Sequence, residues 1–249
     1  MGKLAKETLL FGGFSSFGLW LKDHLANTIS KPCTSLWLMN ETSGALADVH
    51  GMHELAAGGD PTYGGASLAV GSEGTSIAFD GTGDEFSKTE LTLGPAAGVS
   101  ATVLGLFKPA ASVATRALIG HGTDTTWFAL EIDATGHLRM LADDGSLQVN
   151  AIQVGGDSNF DDTVALYAGV MDRTNNELRA TKNGVDLNKQ TWATELALRG
   201  SGKFRIGGIC IAGSSAFLGD VDCVAYIPHA LTAAELLVIW GVAQDLGTQ

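Results

Sequence analysis

The residues of this chain best equipped for chemistry are its clustered acids and its histidines. The stretch SIAFDGTGDEFS, residues 76–87, sets Asp80, Asp84 and Glu85 around Gly81 and Gly83. Carboxylates this close could give oxygens to calcium, which takes roughly six to eight. They also suit a hairpin: the Asp-Gly and Thr-Gly pairs supply positive backbone angles while Phe79 and Phe86 face a core. No Asp-x-Asp-x-Asp-Gly spacing backs an ion, so the turn is the reading adopted. Hydrolysis of a glycosidic bond needs two carboxylates facing each other across it. The nearest pairs are Asp220-x-Asp222 and Glu131-x-Asp133, and the second runs into a turn. His50-x-x-His53 could offer two imidazoles to zinc, but the stretch reads as a glycine-flanked loop without further ligands. His121 lies between two glycines, and His229 stands just before a helix signal. No serine occupies a Gly-x-Ser-x-Gly elbow. Neither Gly155-Gly156 nor Gly207-Gly208 has phosphate-cradling spacing. These patterns predict a protein that is not an enzyme.

Aromatic rings offer a different chemistry, the stacking of a sugar face. Trp127 and Tyr167 fall inside strand-like runs and are expected in the core. Trp192, in NKQTWATEL, is the candidate for a solvent-facing, carbohydrate-binding ring. Phe11, Phe14, Phe17 and Trp20 recur every third residue near the N-terminus, a helical spacing if the intervening glycines permit it. Cys33, Cys210 and Cys223 match no zinc or redox motif; an odd number leaves at least one thiol free, and burial is expected for them.

These residues must be held by a sizeable core. The chain has 249 residues, 45% hydrophobic and 17% charged, with 33 glycines against 5 prolines. That composition fits one large domain with many tight turns. The formal net charge is −12, and the 15 Lys and Arg form no basic stripe, which argues against nucleic acid and against anionic membranes. The N-terminal MGKLAKETLLFGGFSSFGLWL carries early lysines and then apolar residues, but Glu7 and Gly12-Gly13 interrupt it. It is read as neither a cleaved leader nor a membrane span, for which ~20 apolar residues are needed.

Three regions follow. Residues 1–32 form an aromatic, partly helical arm that ends at Pro32. Residues 33–249 form the main domain, with strand-length runs such as SATVLGLFK, VALYAGVMD and FLGDVDCVAYI separated by turn signals. The run FALEIDATGHLRMLADDGSLQVNAI reads as a three-stranded meander, and Asn183-Gly184 as a tight hairpin. A helix closes the domain at about 232–244, opened by a Thr232/Glu235 capping box, with Leu236, Leu237, Ile239, Trp240 and Ala243 as its apolar face. Strands without alternating long helices predict an all-β, two-sheet antiparallel sandwich.

In order, the segments SLWLMNETSGALADVHGMHEL, SIAFDGTGDEFS, VSATVLGLFKP, VALYAGVMDRTNNELRATKNG and the closing FRIGG and FLGDVDCVAYIPHALTAAEL resemble laminin-G-like domains of the concanavalin A-like jelly-roll superfamily. The resemblance covers about residues 34–240. It implies a jelly roll, and a structural calcium near Asp48 or Asp222, as in many relatives. It implies no cofactor beyond such an ion. The hydrolases of this superfamily place Glu-x-Asp-x-x-Glu along one strand, a pattern this chain lacks. The expected role is a structural or recognition protein. Its first form is a phage virion component, a capsid decoration or tail-associated protein, made in the host cytoplasm and homo-oligomeric, its arm rings Phe11, Phe14, Phe17 and Trp20 docking on a neighbour. The alternative is a carbohydrate-binding lectin-type module, virion-borne or extracellular, using Trp192 on a host glycan. A glycosidase is the weakest reading.

Overall fold

Short runs of alternating or wholly apolar residues, broken by glycine and aspartate turns, fold into stacked antiparallel sheets. The computed structural model describes residues 16–245 apart from 71, 92, 94–98, 112–113, 153–161, 193–197, 199–201 and 209–215. Its strands in chain order are β1 (Ser35–Trp37), β2 (Ala56–Gly58), β3 (Thr62–Ala66), β4 (Thr75–Asp80), β5 (Glu85–Leu91), β6 (Ala101–Pro109), β7 (Arg116–Gly122) and β8 (Trp127–Ile132). There follow β9 (Leu138–Asp143), β10 (Gln148–Ile152), β11 (Ala165–Asp172), β12 (Glu177–Lys182), β13 (Val185–Thr191), β14 (Gly202–Ile206) and β15 (Leu218–Ile227). One sheet has the order β13-β12-β11-β6-β15-β4-β3, with β1 also on β15; the other runs β10-β9-β8-β7-β14-β5-β2. The expected two-sheet sandwich is therefore present, and β8, β9 and β10 form the expected meander.

The main core lies between the sheets, where Trp37, Phe79, Phe86, Phe107, Tyr167, Phe204 and Phe217 are buried. The central strands of the larger sheet are buried on both faces. Val103 and Phe107 of β6 point inward, whereas Leu104 and Leu106 enter a second cluster on the outer face. The same alternation sends Tyr167 of β11 inward and Leu166 outward. Two-sided burial explains why these strands read as continuous apolar runs rather than as alternating ones.

The outer face is covered by helices. α1 (Phe17–Asp23) passes directly into a π-helical turn (His24–Thr28). Ser16 caps α1 by accepting the Leu19 N–H at 3.4 Å. Phe17, Trp20, Leu21 and Leu25, spaced three to four residues apart on one helical face, pack with Leu36, Leu104, Leu106 and Cys223. Phe17 and Trp20 are thus placed against the chain's own sheet, not on an outward-facing arm. Gly18 within the helix permits the close approach: an added Cβ would stand 2.2 Å from Leu38 Cδ2. Phe11 and Phe14 lie outside the described residues.

α2 (Ala233–Asp245) begins with the expected reciprocal cap. The Thr232 N–H donates to Glu235 at 2.7 Å, and the Glu235 N–H donates to the Thr232 hydroxyl at 3.2 Å. Lys31 ties the two helical segments by donating to Glu235 at 2.8 Å and to the Ala230 carbonyl at 3.1 Å. Leu236, Ile239 and Ala243 are buried. Leu237, expected on the same face, is 54% exposed, because it sits on the opposite side of the helix turn from Leu236 and Ile239. Among the described residues no helix is long and apolar enough to cross a membrane.

Candidate functional site

The acidic turn joins β4 to β5, and Asp84 organises it. Asp84 is 1% exposed. Its carboxylate accepts the backbone N–H of Asp60 at 2.8 Å and of Asp80 at 2.9 Å. Gly59 permits this approach, since it has a positive φ of 72° and a Cβ there would meet the Asp84 carboxylate at 2.4 Å. Gly81 and Gly83 have the positive φ expected of the turn. Glu85 is not part of the cluster; its carboxylate pairs with Lys203 at 2.9 Å and Arg205 at 2.8 Å. Burial would raise the Glu85 pKa, but these cations hold it below the usual range. Asp60 takes its place, so that Asp60, Asp80 and Asp84 each bring one oxygen within 4.8 Å of the others. Those three would be the donors to a calcium ion, yet the buried one already spends its oxygens on backbone amides.

The other acids are likewise committed. Asp222 in β15 accepts from the Ser67 hydroxyl at 2.5 Å and the Leu68 N–H at 2.6 Å, pinning the loop after β3. Burial raises its pKa against these hydrogen bonds. Glu131 of β8 pairs with Arg139 of β9, its cross-strand neighbour, and burial raises its pKa too. Asp133 caps the following turn through Thr135 and His137. Asp48 accepts N–H groups from Leu36, His50 and His53 at 3.0–3.1 Å. A serine–histidine–aspartate group that sequence spacing does not reveal completes this node. Ser35 Oγ lies 2.6 Å from His53 Nδ1, and Asp48 lies 3.5 Å from the same nitrogen. A nucleophilic triad divides the two partners between the two ring nitrogens. Here both share Nδ1 and Ser35 is fully buried, so the group braces β1. Cys33, at 3.4 Å from His50, and Cys223 are buried free thiols; burial pushes Cys33 up to about 11. Cys210 lies outside the described residues.

Trp127 and Tyr167 are buried, as expected. Trp192 is not the solvent-facing ring that its polar neighbours predict. It is 6% exposed and packed into the main core, with the Arg173 guanidinium 5.8 Å from its ring centroid. Backbone pairing draws it in, because its N–H donates to the Asn176 carbonyl at 3.2 Å.

The ring nevertheless reaches an open site. β10 and β13 are the terminal strands of their respective sheets and lie side by side at one edge of the sandwich. Between them is a groove of about 450 Å³ lined by Gln148, Val149, Asn150, Gln190, Thr191 and Trp192, with Leu147 at its rim. Two of these residues hold buried polar atoms without a hydrogen-bond partner, the Trp192 indole N–H and the Asn150 carbonyl oxygen. Both atoms are shielded from solvent and lie behind the groove's open surface. A second groove of about 410 Å³, at the β2–β5 edge, is lined by Glu54, Ser87, Lys88, Thr89 and Lys203. Among the described residues neither groove is lined by two carboxylates.

The model of the concanavalin A-like lectin/glucanases superfamily, laminin-G type, matches residues 80–237. No curated protein matches the chain in sequence. Among solved structures it is similar to the CBM40 domain of Ruminococcus gnavus IT-sialidase bound to α2,6-sialyllactose, at 19% identity and a TM-score of 0.51, over 67% of this chain and 96% of that one. It is also similar to botulinum neurotoxin type C, which depends on interaction with two ganglioside molecules to enter cells. That match has 10% identity and a TM-score of 0.64, over 88% of this chain and 53% of the toxin chain. A match to NanB sialidase from Streptococcus pneumoniae, at 18% identity and a TM-score of 0.49, covers 61% of this chain and 26% of the sialidase chain.

Proposed function

This chain belongs to the concanavalin A-like lectin/glucanase superfamily, and from that premise we propose that it is a non-catalytic carbohydrate-binding module. The observation that carries the reading is the β10–β13 groove, which sets the amides of Gln148, Asn150 and Gln190 and the Thr191 hydroxyl around the Trp192 ring. A sugar hydroxyl is both donor and acceptor. Such a group is complementary to amide and hydroxyl side chains of the kind that line the groove. The exposed amides of Gln148 and Gln190 and the Thr191 hydroxyl supply further donors and acceptors around it. The volume falls within the range of small-molecule sites, ~300–1,000 Å³. The groups bound by two of the similar structures, sialyllactose and gangliosides, are glycans as well.

Catalysis finds no support in the same geometry, since the buried acids Asp48, Asp84, Glu131 and Asp222 are each tied to a cation or to backbone amides. The virion reading drew on the arm as a subunit-docking element. With Phe17 and Trp20 spent on the chain's own sheet, no observation favours it over glycan binding. A glycan array probed with the whole chain, with and without calcium, tests the proposal. Binding to a defined set of sugars is the expected result. Absence of binding to any of them, or release of reducing sugar from a bound polysaccharide, would refute it.

A further inference from the structure

The closing helix α2 is apolar on every side. From Leu236 to Ala243 it carries no charged, amide or hydroxyl side chain. Leu236, Ile239, Val242 and Ala243 are buried on the larger sheet's outer face. Ala234, Leu237, Val238 and Gly241, spaced three and four residues apart, form the opposite face and are exposed. A helix that is hydrophobic all round is ordinarily covered all round. The apolar surface also runs past the helix. The β12–β13 turn abuts α2 so closely that a Cβ on Gly184 would stand 2.4 Å from Leu237 Cα, and the following Val185 is exposed. At the other end the Val70 N–H donates to the Ala243 carbonyl at 2.9 Å, and Val70 is exposed too. Four of the six large apolar side chains exposed among the described residues therefore sit on or beside α2.

We infer that this face is where two copies of the chain meet, packed about a two-fold axis with their α2 helices antiparallel. Each copy has a net charge of −12, so copies repel wherever acids face acids. The face from Ala234 to Gly241 brings no charge to the contact. An antiparallel pair sets the positive end of one helix dipole beside the negative end of the other. The last turn of α2 has no basic residue of its own. Lys31, partly exposed where it pairs with Glu235 in the first turn, is the cation that each copy would bring to the other's C-terminal end. The stripe is small at Ala234, large at Leu237 and Val238 and small again at Gly241. A half-turn about its centre maps that order onto itself, as an isologous contact requires. A 13-residue helix is only ~20 Å long. With its flanking valines it makes an interface at the small end of the known range, below about 1,200 Å² in total. The dimer is accordingly weak, with a dissociation constant on the order of tens of micromolar.

Sedimentation velocity of the full chain from about 5 to about 500 μM tests this. The expected result is a mass that climbs from one chain toward two, and climbs sooner in added salt, because screening relieves repulsion around an apolar contact. Leu237→Glu puts a carboxylate on the exposed face. Gly241→Glu does so where a Cβ meets no atom within 4 Å, and it replaces a poor helix former with a better one. Each charge enters the interface twice, so each variant is expected to weaken dimerisation by at least about ten-fold. The melting temperature of dilute Gly241→Glu should not fall, which separates a lost contact from a lost fold. Monomer mass throughout the range would overturn the inference. So would a dimer that survives both substitutions, or one that added salt dissociates, since either places the contact on another surface.

Discussion

Asp84 shows how a residue that looks like a metal ligand can be a piece of backbone architecture. Both carboxylate oxygens accept N–H groups, one from the loop at Asp60 and one from Asp80 at the end of β4. A hydrogen bond to a charged acceptor is worth about 1.5–3 kcal/mol. Asp84→Ala is therefore expected to lower the unfolding free energy by about 3 kcal/mol in denaturant titrations. Asp60→Ala, at an exposed position, should change it by no more than about 0.5 kcal/mol. Were the three acids held together chiefly by an ion, the substitutions would cost alike. The Asp-Gly turn was legible in the sequence because its φ requirements are local. The arrival of Asp60 was not, since it depends on how β2 lies beside β5.

At the scale of elements, the N-terminal helix decides between docking on a neighbour and docking at home. Phe17 is fully buried beneath α1 and stacks on Trp20 with ring centroids 5.9 Å apart. Removing a large buried aromatic costs about 3–5 kcal/mol. Phe17→Ala should destabilise the chain by that order in thermal or chemical melts, and its mass in sedimentation should equal the parent's. A change in association with no loss of stability would instead place this ring between subunits. The period of the aromatic residues announced a helix, and that helix is present from Phe17 onward. What the period leaves open is the partner surface. Leu104, Leu106 and Leu166 form it only once β6 and β11 are paired.

For the whole molecule, buried imidazoles couple stability to pH. His121 is buried between the sheets near Phe128 and Phe204 and donates from Nε2 to the Leu91 carbonyl at 3.0 Å. Burial lowers its pKa, and lowers those of His24 and His53 likewise. The unfolded chain, with ordinary histidines near 6.5, binds these protons more readily than the folded one. Their contribution is complete above about pH 6.5 and is lost as pH falls below it. The unfolding free energy should therefore decline between pH 6.5 and 5.5, each histidine giving at most about 1.4 kcal/mol per pH unit. His121→Gln, which keeps a donor for Leu91, should flatten that slope. An unchanged slope would assign the loss to other groups.

The amino-acid order alone settled the strand texture, the turns at Asp80-Gly81 and Asn183-Gly184 and the capped closing helix. Each of these is written in residues close together along the chain, where dihedral preference and side-chain periodicity act directly. Tertiary structure alone decided that Trp192 turns inward, that Ser35, Asp48 and His53 meet as a brace, and that Asn150 and Trp192 share a groove. Those facts follow from which edge of one sheet lies over which edge of the other. That choice is made by the shared core between the sheets rather than by any local pattern.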